Sequence, residues 1–209
     1  MSKATILQRL NTYSAPESTA PSSDPTTGAK SANGVDRFIT QLEAVKGQVV
    51  RCQADTLVAT LIKLLDEKQV KRLCAGRCSE VVALLQHLPT SIRPICDDLA
   101  IENFKHTLFH DVDAGLTCCH AALAETGSLV LIPTPEEPRL LSLVPPIHIV
   151  VLHAQQLYDN LASWIEQQAP QPMPTNLLLI TGPSKSADIE QVLAYGVHGP
   201  RQLVVLLVE

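Results

Sequence analysis

The sequence predicts an α/β protein, a three-layer α/β/α sandwich with a mostly parallel sheet. Three observations predict this fold class. Segments with helical periodicity alternate with short apolar runs, which favours parallel strands joined by helical crossovers. Several of the runs are continuously apolar, as is typical of strands covered on both faces. Apolar residues make up 45% of the chain but aromatic residues only 3%, so the core must be built from aliphatic side chains.

The first part of the chain is predicted to lie outside this sandwich. Residues 1–13 contain a short predicted helix, with Ile6, Leu7 and Leu10 on one side. Residues 14–34 are predicted to be a flexible linker, because 17 of these 21 residues are Ser, Thr, Pro, Gly or Ala. The α/β domain is therefore predicted over residues 35–209.

The N-terminal half of that domain alternates between helices and strands. Helices are predicted over residues 35–46, from Asp55 as N-cap, and over residues 80–87. Gly47 is predicted to end the first of them. The strands between them are expected at residues 48–53, 70–75 and 92–95. The apolar stripes consist of Phe38, Ile39, Leu42 and Val45 in the first helix and Val58, Leu61, Ile62 and Leu65 in the second.

The C-terminal half continues the alternation. Strands are predicted at residues 128–132, 147–152, 177–181 and 203–208. Two helices are predicted between them, over residues 155–168 and 186–195. In the first of these helices, the residues expected to face the core are Leu157, Leu161, Trp164 and Ile165.

Composition excludes several classes of protein. The net charge is −5 and no run holds four Lys or Arg together, which disfavours nucleic-acid binding. Residues 1–13 lack the apolar region of a secretory signal, and no stretch of about 18 apolar residues predicts a membrane span. We therefore expect a cytoplasmic protein whose six cysteines are reduced and mostly serve as small buried apolar residues.

Metal binding is not predicted. The candidate ligands are Cys74 and Cys78, and the run of Cys118, Cys119 and His120. Neither group has the two-residue gap that is common in zinc-binding cysteine pairs.

Five segments of the C-terminal half resemble the signatures of one family. They are Asp-Ala-Gly-Leu-Thr at 113–117, Ala-Glu-Thr-Gly at 124–127, Arg139 with Ser-Leu-Val-Pro-Pro-Ile-His-Ile at 142–149, Ile-Thr-Gly-Pro-Ser-Lys-Ser-Ala-Asp-Ile-Glu at 180–190, and Gly-Val-His-Gly-Pro at 196–200. In order and spacing they resemble the lactate utilization protein C family, which carries the LUD domain. Lys185 and Ser186 stand where the family usually has Arg and Thr. The charge is kept, but a bidentate anion contact is lost.

The resemblance implies a fold and a role. The fold would be similar to that of sugar-phosphate isomerases and CoA transferases. The role would be the oxidation of L-lactate to pyruvate together with two iron–sulfur partner proteins, in which this subunit carries no cluster of its own. The sequence agrees, since it lacks the closely spaced cysteine run of ferredoxins. It also lacks a dinucleotide fingerprint, so no NAD or FAD is predicted. There are two alternatives. The chain is a stand-alone enzyme acting on a sugar phosphate or an acyl-CoA, or it is a non-catalytic assembly factor.

One candidate ligand site is the loop over residues 181–186, which is predicted to follow a strand and open a helix. Backbone N–H groups at such a helix start attract a carboxylate or phosphate. Gly182 would permit the turn, Ser184 would donate a hydroxyl and Lys185 would supply the countercharge. Asp188, in the first predicted turn, either belongs to this site or already satisfies the helix dipole. Alternatively, Ser184 is simply an N-cap.

A second candidate is Glu125 with Thr126 and Gly127, predicted to join a helix to a strand. A carboxylate at such a junction is a potential base or nucleophile. The alternative is a glutamate bonded to backbone amides at a turn in which Gly127 adopts a positive φ.

Two histidines and an arginine complete the candidate set. His148 lies in an apolar strand after two prolines, which places it near an edge of the sheet, although the sequence does not decide which edge. His198 lies in a tight turn between glycines. Arg139 is expected to bind the carboxylate of a small acid, or else to pair with Glu136 or Glu137.

Overall fold

A computed structural model describes residues 34–95, 101–168, 174–187, 193–196 and 198–209, with the side chains of 101–105, 187, 193 and 194 left aside. The predicted N-terminal helix lies outside these residues, as does the predicted linker except for Gly34. Within the described part, no helix is long and apolar enough to cross a membrane.

The chain alternates between helices and strands as predicted. The helices are α1 (Gly34–Ala44), α2 (Leu57–Glu67), α3 (Ser79–Leu85), α4 (Ile101–His110), α5 (Leu140–Leu143) and α6 (Leu161–Gln168), with a 3-10 turn at Ala154–Gln156. The strands are β1 (Gln48–Cys52), β2 (Arg72–Ala75), β3 (Arg93–Ile95), β4 (Ala114–Cys118), β5 (Ala121–Leu123), β6 (Ser128–Leu131), β7 (Ile147–His153), β8 (Leu157–Tyr158), β9 (Leu178–Ile180), β10 (Lys185–Ala187), β11 (Leu193–Tyr195) and β12 (Gln202–Val208).

The central sheet has six strands in the order β1-β12-β7-β4-β2-β3, and every pairing in it is parallel. Strands β12 and β7 are neighbouring interior strands, and their side chains are buried almost throughout. The predicted mixed α/β fold with a mostly parallel sheet is confirmed.

Aliphatic side chains cover both faces of this sheet. Helices α2 and α3 pack on one face, where Leu61, Leu65 and Val81 meet side chains of β4, β7 and β12. On the other face, Phe38 and Leu42 of α1 pack against β7 and β12. These contacts follow from the three- and four-residue spacing of the apolar positions in the helices.

Part of the second face is covered by a small sheet rather than by a helix. Its strand order is β8-β5-β6-β9, and β6 is antiparallel to both of its neighbours. The predicted strands at 128–132 and 177–181 therefore exist, but they do not belong to the parallel sheet. The continuous apolar character of β6 has another cause, because this strand is buried between the main sheet and Trp164 of α6. Strand β9, at the edge of the small sheet, is only partly buried, and its Leu179 is 46% exposed.

Two predicted helices are wrong in whole or in part. Residues 185–187 and 193–195 form an antiparallel pair, β10 and β11, where a helix over 186–195 was predicted. Residues 155–168 contain the 3-10 turn and β8 before α6 begins, and Ile165, predicted to face the core, is 44% exposed. A short apolar run alone does not distinguish a strand from a helix.

The ends of the first two helices differ slightly from the prediction. Lys46 has φ 71° and is the left-handed residue after α1, where Gly47 was predicted to end the helix. The N–H of Gly47 donates to the Leu42 carbonyl, as in a Schellman motif. Thr56 rather than Asp55 is the N-cap of α2.

Candidate functional site

The carboxyl ends of three neighbouring strands bring polar side chains together. Because the sheet is parallel, β2, β4 and β7 end at the same edge, at Ala75, Cys118 and His153. In open α/β sheets, ligands bind outside this edge. We refer to Cys78, Glu80, Cys118, Glu137 and His153 as the carboxyl-edge cluster.

Cys118 lies at the centre of the carboxyl-edge cluster. Its Sγ is 3.2 Å from Sγ of Cys78 and 3.6 Å from Oε2 of Glu80. Its backbone N–H donates to Oε1 of Glu137 over 2.7 Å. A single residue at the end of β4 thus contacts a second thiol and two carboxyl groups.

Glu80 and His153 form a hydrogen-bonded pair. Oε1 of Glu80 is 2.7 Å from Nε2 of His153, and the two side chains are 33% and 35% exposed. The backbone after β7 is held in place by Gln156, whose side chain accepts from the His153 N–H and donates to the Cys119 carbonyl. Both members of the pair are therefore fixed and remain accessible to water.

Glu137 is brought to this edge by the loop between β6 and α5. The N–H of Arg77 donates to the Glu136 carbonyl, which ties the loop to the end of β2. Gly76 leaves room for the carboxyl group, because a Cβ there would lie 3.1 Å from Cγ of Glu137. Burial raises the pKa of Glu137 to about 7, although the hydrogen bond from the Cys118 N–H partly opposes this.

Burial also acts on the thiols of β4. It raises the pKa of Cys118, and the neighbouring Cys78, Glu80 and Glu137 add to this effect. The fully buried Cys119 has a raised pKa as well, because of its burial and the nearby Glu137. Both groups are therefore thiols at neutral pH, while Glu137 exchanges its proton there.

Two concave surfaces adjoin the carboxyl-edge cluster. A depression of about 300 Å³ opens beside Gly76 and Arg77, between α3 and the end of β3. A much smaller cavity, of about 10 Å³, is lined by Cys118 and Glu137 together with Arg139, Ser142 and Thr117. Arg139, predicted to bind a small acid, is exposed and lines the same cavity as Cys118 and Glu137.

The other predicted site residues lie mostly at the opposite, amino edge. Gly127 (φ 67°) packs against the backbone of α1, and Gly182 (φ 88°) packs against Val45 just after it. Since α1 leads directly into β1, both glycines are at the amino edge. The positive φ predicted for Gly127 is confirmed.

Glu125 and Thr126 are exposed in the turn between β5 and β6, which corrects the predicted junction of a helix and a strand. The Glu125 N–H donates to the Asp159 carbonyl. The hydroxyl of Thr126 is 2.7 Å from that of Ser128, which is in turn 2.6 Å from that of Thr181. These hydroxyls connect the turn to the loop over 181–186.

That loop opens into β10 and not into a helix, so the predicted helix start is wrong, and the loop lacks the helix N-terminus on which the predicted anion site depended. The Ser184 N–H donates to the Pro200 carbonyl just before β12, and Lys185 is exposed in β10. His198 is exposed beside them, while Asp188 lies outside the described residues.

His148 is on the amino half of β7 and is completely buried. Its Nε2 is 2.8 Å from Oγ1 of Thr117, and its Nδ1 has no hydrogen-bond partner among the described residues. Burial lowers the pKa of His148 to about 3. The ring is therefore neutral, and its position does not bring it together with Glu125 or His198 at the protein surface.

Sequence reasoning missed Glu80, Glu137 and His153 as site residues, and it considered Cys78 and Cys118 only as metal ligands. Cys78, Glu80 and His153 closely follow predicted strands. Cys118 ends β4, which was not predicted, and the loop position of Glu137 becomes informative only once the strand order is known. Within the described residues, no three His, Cys, Asp or Glu side chains are arranged to hold a metal ion. All six cysteines were predicted to be reduced, but Cys74 is disulfide-bonded, so the prediction is wrong for this residue.

The chain forms an α/β domain with a central parallel sheet, a small second sheet and a polar carboxyl edge. Residues 35–208 match the LUD domain family, and the chain belongs to that family.

Several relatives and one solved structure are similar to this chain. The uncharacterized protein NMB1437 of Neisseria meningitidis serogroup B is 43% identical over 121 residues, covering 57% of this chain and 52% of that protein. A protein called Lactate utilization protein C from Deinococcus radiodurans is 36% identical over 106 residues, half of each chain. The chain thus spans about half the length of these two relatives.

A crystal structure of a DUF162 family protein from Deinococcus radiodurans superimposes with a TM-score of 0.64 at 24% identity, covering 85% of this chain and 98% of that one. This similarity shows the fold alone.

Proposed function

We propose that this chain is the cluster-free component of a system that oxidises L-lactate to pyruvate, working with two iron–sulfur proteins. We further propose that it holds the small acid at its carboxyl edge. Membership of the LUD domain family and similarity to proteins called Lactate utilization protein C support the first part.

The observation that carries the second part is the position of Glu137. It is a largely buried carboxyl group with a pKa of about 7 at the edge where α/β sheets bind ligands. Perturbed titratable groups beside a concave surface mark functional sites. At the amino edge, the exposed Glu125 and His198 have no comparable buried contact.

The chemistry of the reaction matches these groups. Oxidation of L-lactate to pyruvate removes two protons and two electrons. One proton comes from the hydroxyl group and the other from the carbon that carries it. Ionised Glu137 is suited to accept the hydroxyl proton near neutral pH. The Glu80–His153 pair supplies a second, water-accessible proton acceptor. Arg139 lies beside Glu137 and is suited to bind the carboxylate of the acid. The electrons would pass to the iron–sulfur partners.

Reconstitution tests this function. Lactate-dependent dye reduction is measured with the two iron–sulfur proteins, with and without this chain, and then with Glu137→Gln. The matched control is Glu136→Gln, which changes an exposed neighbour whose backbone contact is retained. We expect reduction to need this chain, and Glu137→Gln to lower its rate by roughly 100-fold, as for loss of a general base. The control should be near wild type.

Two results would contradict the proposal. Equal reduction without this chain would exclude a catalytic role and favour an assembly factor or a separate enzyme, such as one acting on a sugar phosphate or an acyl-CoA. Full activity of Glu137→Gln, together with loss of activity in Glu125→Ala or His198→Ala, would move the site to the amino edge.

A further inference from the structure

We propose that Cys78 and Cys118 are a redox-active dithiol that closes to a reversible disulfide when it meets a low-molecular-weight disulfide. This inference does not depend on the proposed function, because neither thiol takes part in the acid–base chemistry described above.

The two sulfurs are already close to bonding distance. They come from residues 40 apart in the sequence, yet β2 and β4 are neighbours and place the sulfurs 3.2 Å apart. A disulfide bond is about 2.05 Å long, so closure needs an approach of about 1.2 Å. Cys78 precedes α3 in an extended conformation (φ −64°, ψ 151°), outside the strands of all three sheets. A small rotation of its side chain can therefore supply the movement.

Accessibility distinguishes this pair from the other free thiols in the described part of the chain. Cys78 and Cys118 are both half-buried, whereas Cys52 and Cys119 are buried. The thiol of Cys119 is bonded to the Val151 carbonyl at 3.6 Å rather than to another sulfur. Reactive cysteines need such partial exposure, because buried thiols are inert.

Glu80 provides a path for the proton that Cys118 must lose. Its Oε2 is 3.6 Å from the Cys118 sulfur, and its Oε1 is bonded to His153, which reaches solvent. Burial and the neighbouring acids raise the pKa of Cys118, so this residue stays a thiol until a base takes its proton. The first attack on an external disulfide therefore falls to Cys78.

The reaction has two balanced steps. Cys78 releases its proton to water, and its thiolate attacks one sulfur of R–S–S–R, which forms a Cys78–S–S–R bond and releases one thiolate that takes up a proton. Cys118 then gives its proton to Glu80 and attacks the Cys78 sulfur, which forms the protein disulfide and releases the second thiolate. The two protein thiols lose two electrons and two protons, and R–S–S–R is reduced to two R–SH.

Thiol mapping on the full-length protein tests this inference, with glutathione disulfide as the probe. The folded protein is equilibrated in glutathione buffers of increasing oxidation, alkylated, digested and analysed by tandem mass spectrometry. We expect a Cys78–Cys118 cross-link that disappears again in excess glutathione. Cys118→Ser should stop at a glutathione adduct on Cys78, and Cys78→Ser should give neither product.

Two further variants test the assigned roles. Glu80→Gln should slow closure of the protein disulfide by roughly tenfold or more, while adduct formation at Cys78 is unchanged. Cys119→Ser, which changes a buried neighbour, should form the Cys78–Cys118 cross-link as the wild type does. Circular dichroism of each variant checks that it is folded.

The inference is overturned if the folded wild type forms no Cys78–Cys118 cross-link in any glutathione buffer. A cross-link from Cys78 to Cys119 in place of Cys118 would overturn it as well. Lactate-dependent activity is not part of this readout, so failure of the dithiol and failure of the proposed function are distinguishable.

Discussion

Replacing Glu137 by Gln should remove a pH-dependent loss of stability from the folded protein. Burial raises the pKa of this carboxyl from 4.5 to about 7. Between these values the native chain binds more protons than the unfolded chain, so the wild-type stability falls as pH rises. Each pH unit is worth about 1.36 kcal/mol, so ionised Glu137 costs up to about 3 kcal/mol above pH 7. Gln is neutral at every pH and keeps an oxygen for the Cys118 N–H.

Urea unfolding from about pH 4 to pH 8 measures this effect. Relative to wild type, Glu137→Gln should gain up to about 3 kcal/mol of unfolding free energy across that range. The exposed Glu136→Gln is the matched control and should follow the wild type within about 0.5 kcal/mol. Taking the difference between variants cancels the titration of every other group. Parallel pH profiles for wild type and Glu137→Gln would refute the raised pKa, and with it the suitability of Glu137 as a base at neutral pH.

Three further predictions concern stability and are checked by the same unfolding measurements. Gly127→Ala should lower the unfolding free energy by about 3 kcal/mol, because φ is 67° and the added Cβ would lie 2.5 Å from a backbone nitrogen of α1. The control Glu125→Ala changes an exposed side chain in the same turn and should lower it by less than about 0.5 kcal/mol. Thr117→Val should cost about 1–3 kcal/mol, since it leaves buried His148 without its 2.8 Å hydrogen bond; an equally stable variant would contradict this. Asp113→Ala should cost about 2 kcal/mol at neutral pH, because the carboxylate accepts two backbone N–H groups and an arginine. Burial opposes ionisation of Asp113, but these hydrogen bonds outweigh it and hold its pKa below the ordinary value, so the cost should shrink as pH falls through that lowered pKa.

The parallel core could be predicted from sequence because its signal is local. Strands β7 and β12 are mostly apolar runs, and the helices that cover them have apolar positions three and four residues apart. The small sheet could not be predicted in this way. Its pairings join residues as far apart in the sequence as Leu129 of β6 and Ile180 of β9, and burial between two layers makes β6 resemble a strand of the central sheet.

The site was harder to predict than the fold, because its parts are brought together by strand order. Cys78 and Cys118 meet only because β2 lies beside β4, and His153 joins them because β7 lies beside β4. The segments that identify the family supplied different information. The glycines at 127 and 182 pack against α1 or the residue just after it, so close backbone approach accounts for them without a ligand.

The most direct test of acid binding at the carboxyl edge is an NMR titration of the ¹⁵N-labelled full-length chain with L-lactate and with pyruvate. We expect amide shifts that saturate at the carboxyl edge, above all at Cys118, whose N–H is bonded to Glu137, and at Gly76 beside it. Glu137→Gln should weaken these shifts, and Glu136→Gln should leave them unchanged. Saturating shifts at Ser184 and His198 instead, or no saturating shifts at all, would contradict the claim that the carboxyl edge holds the small acid.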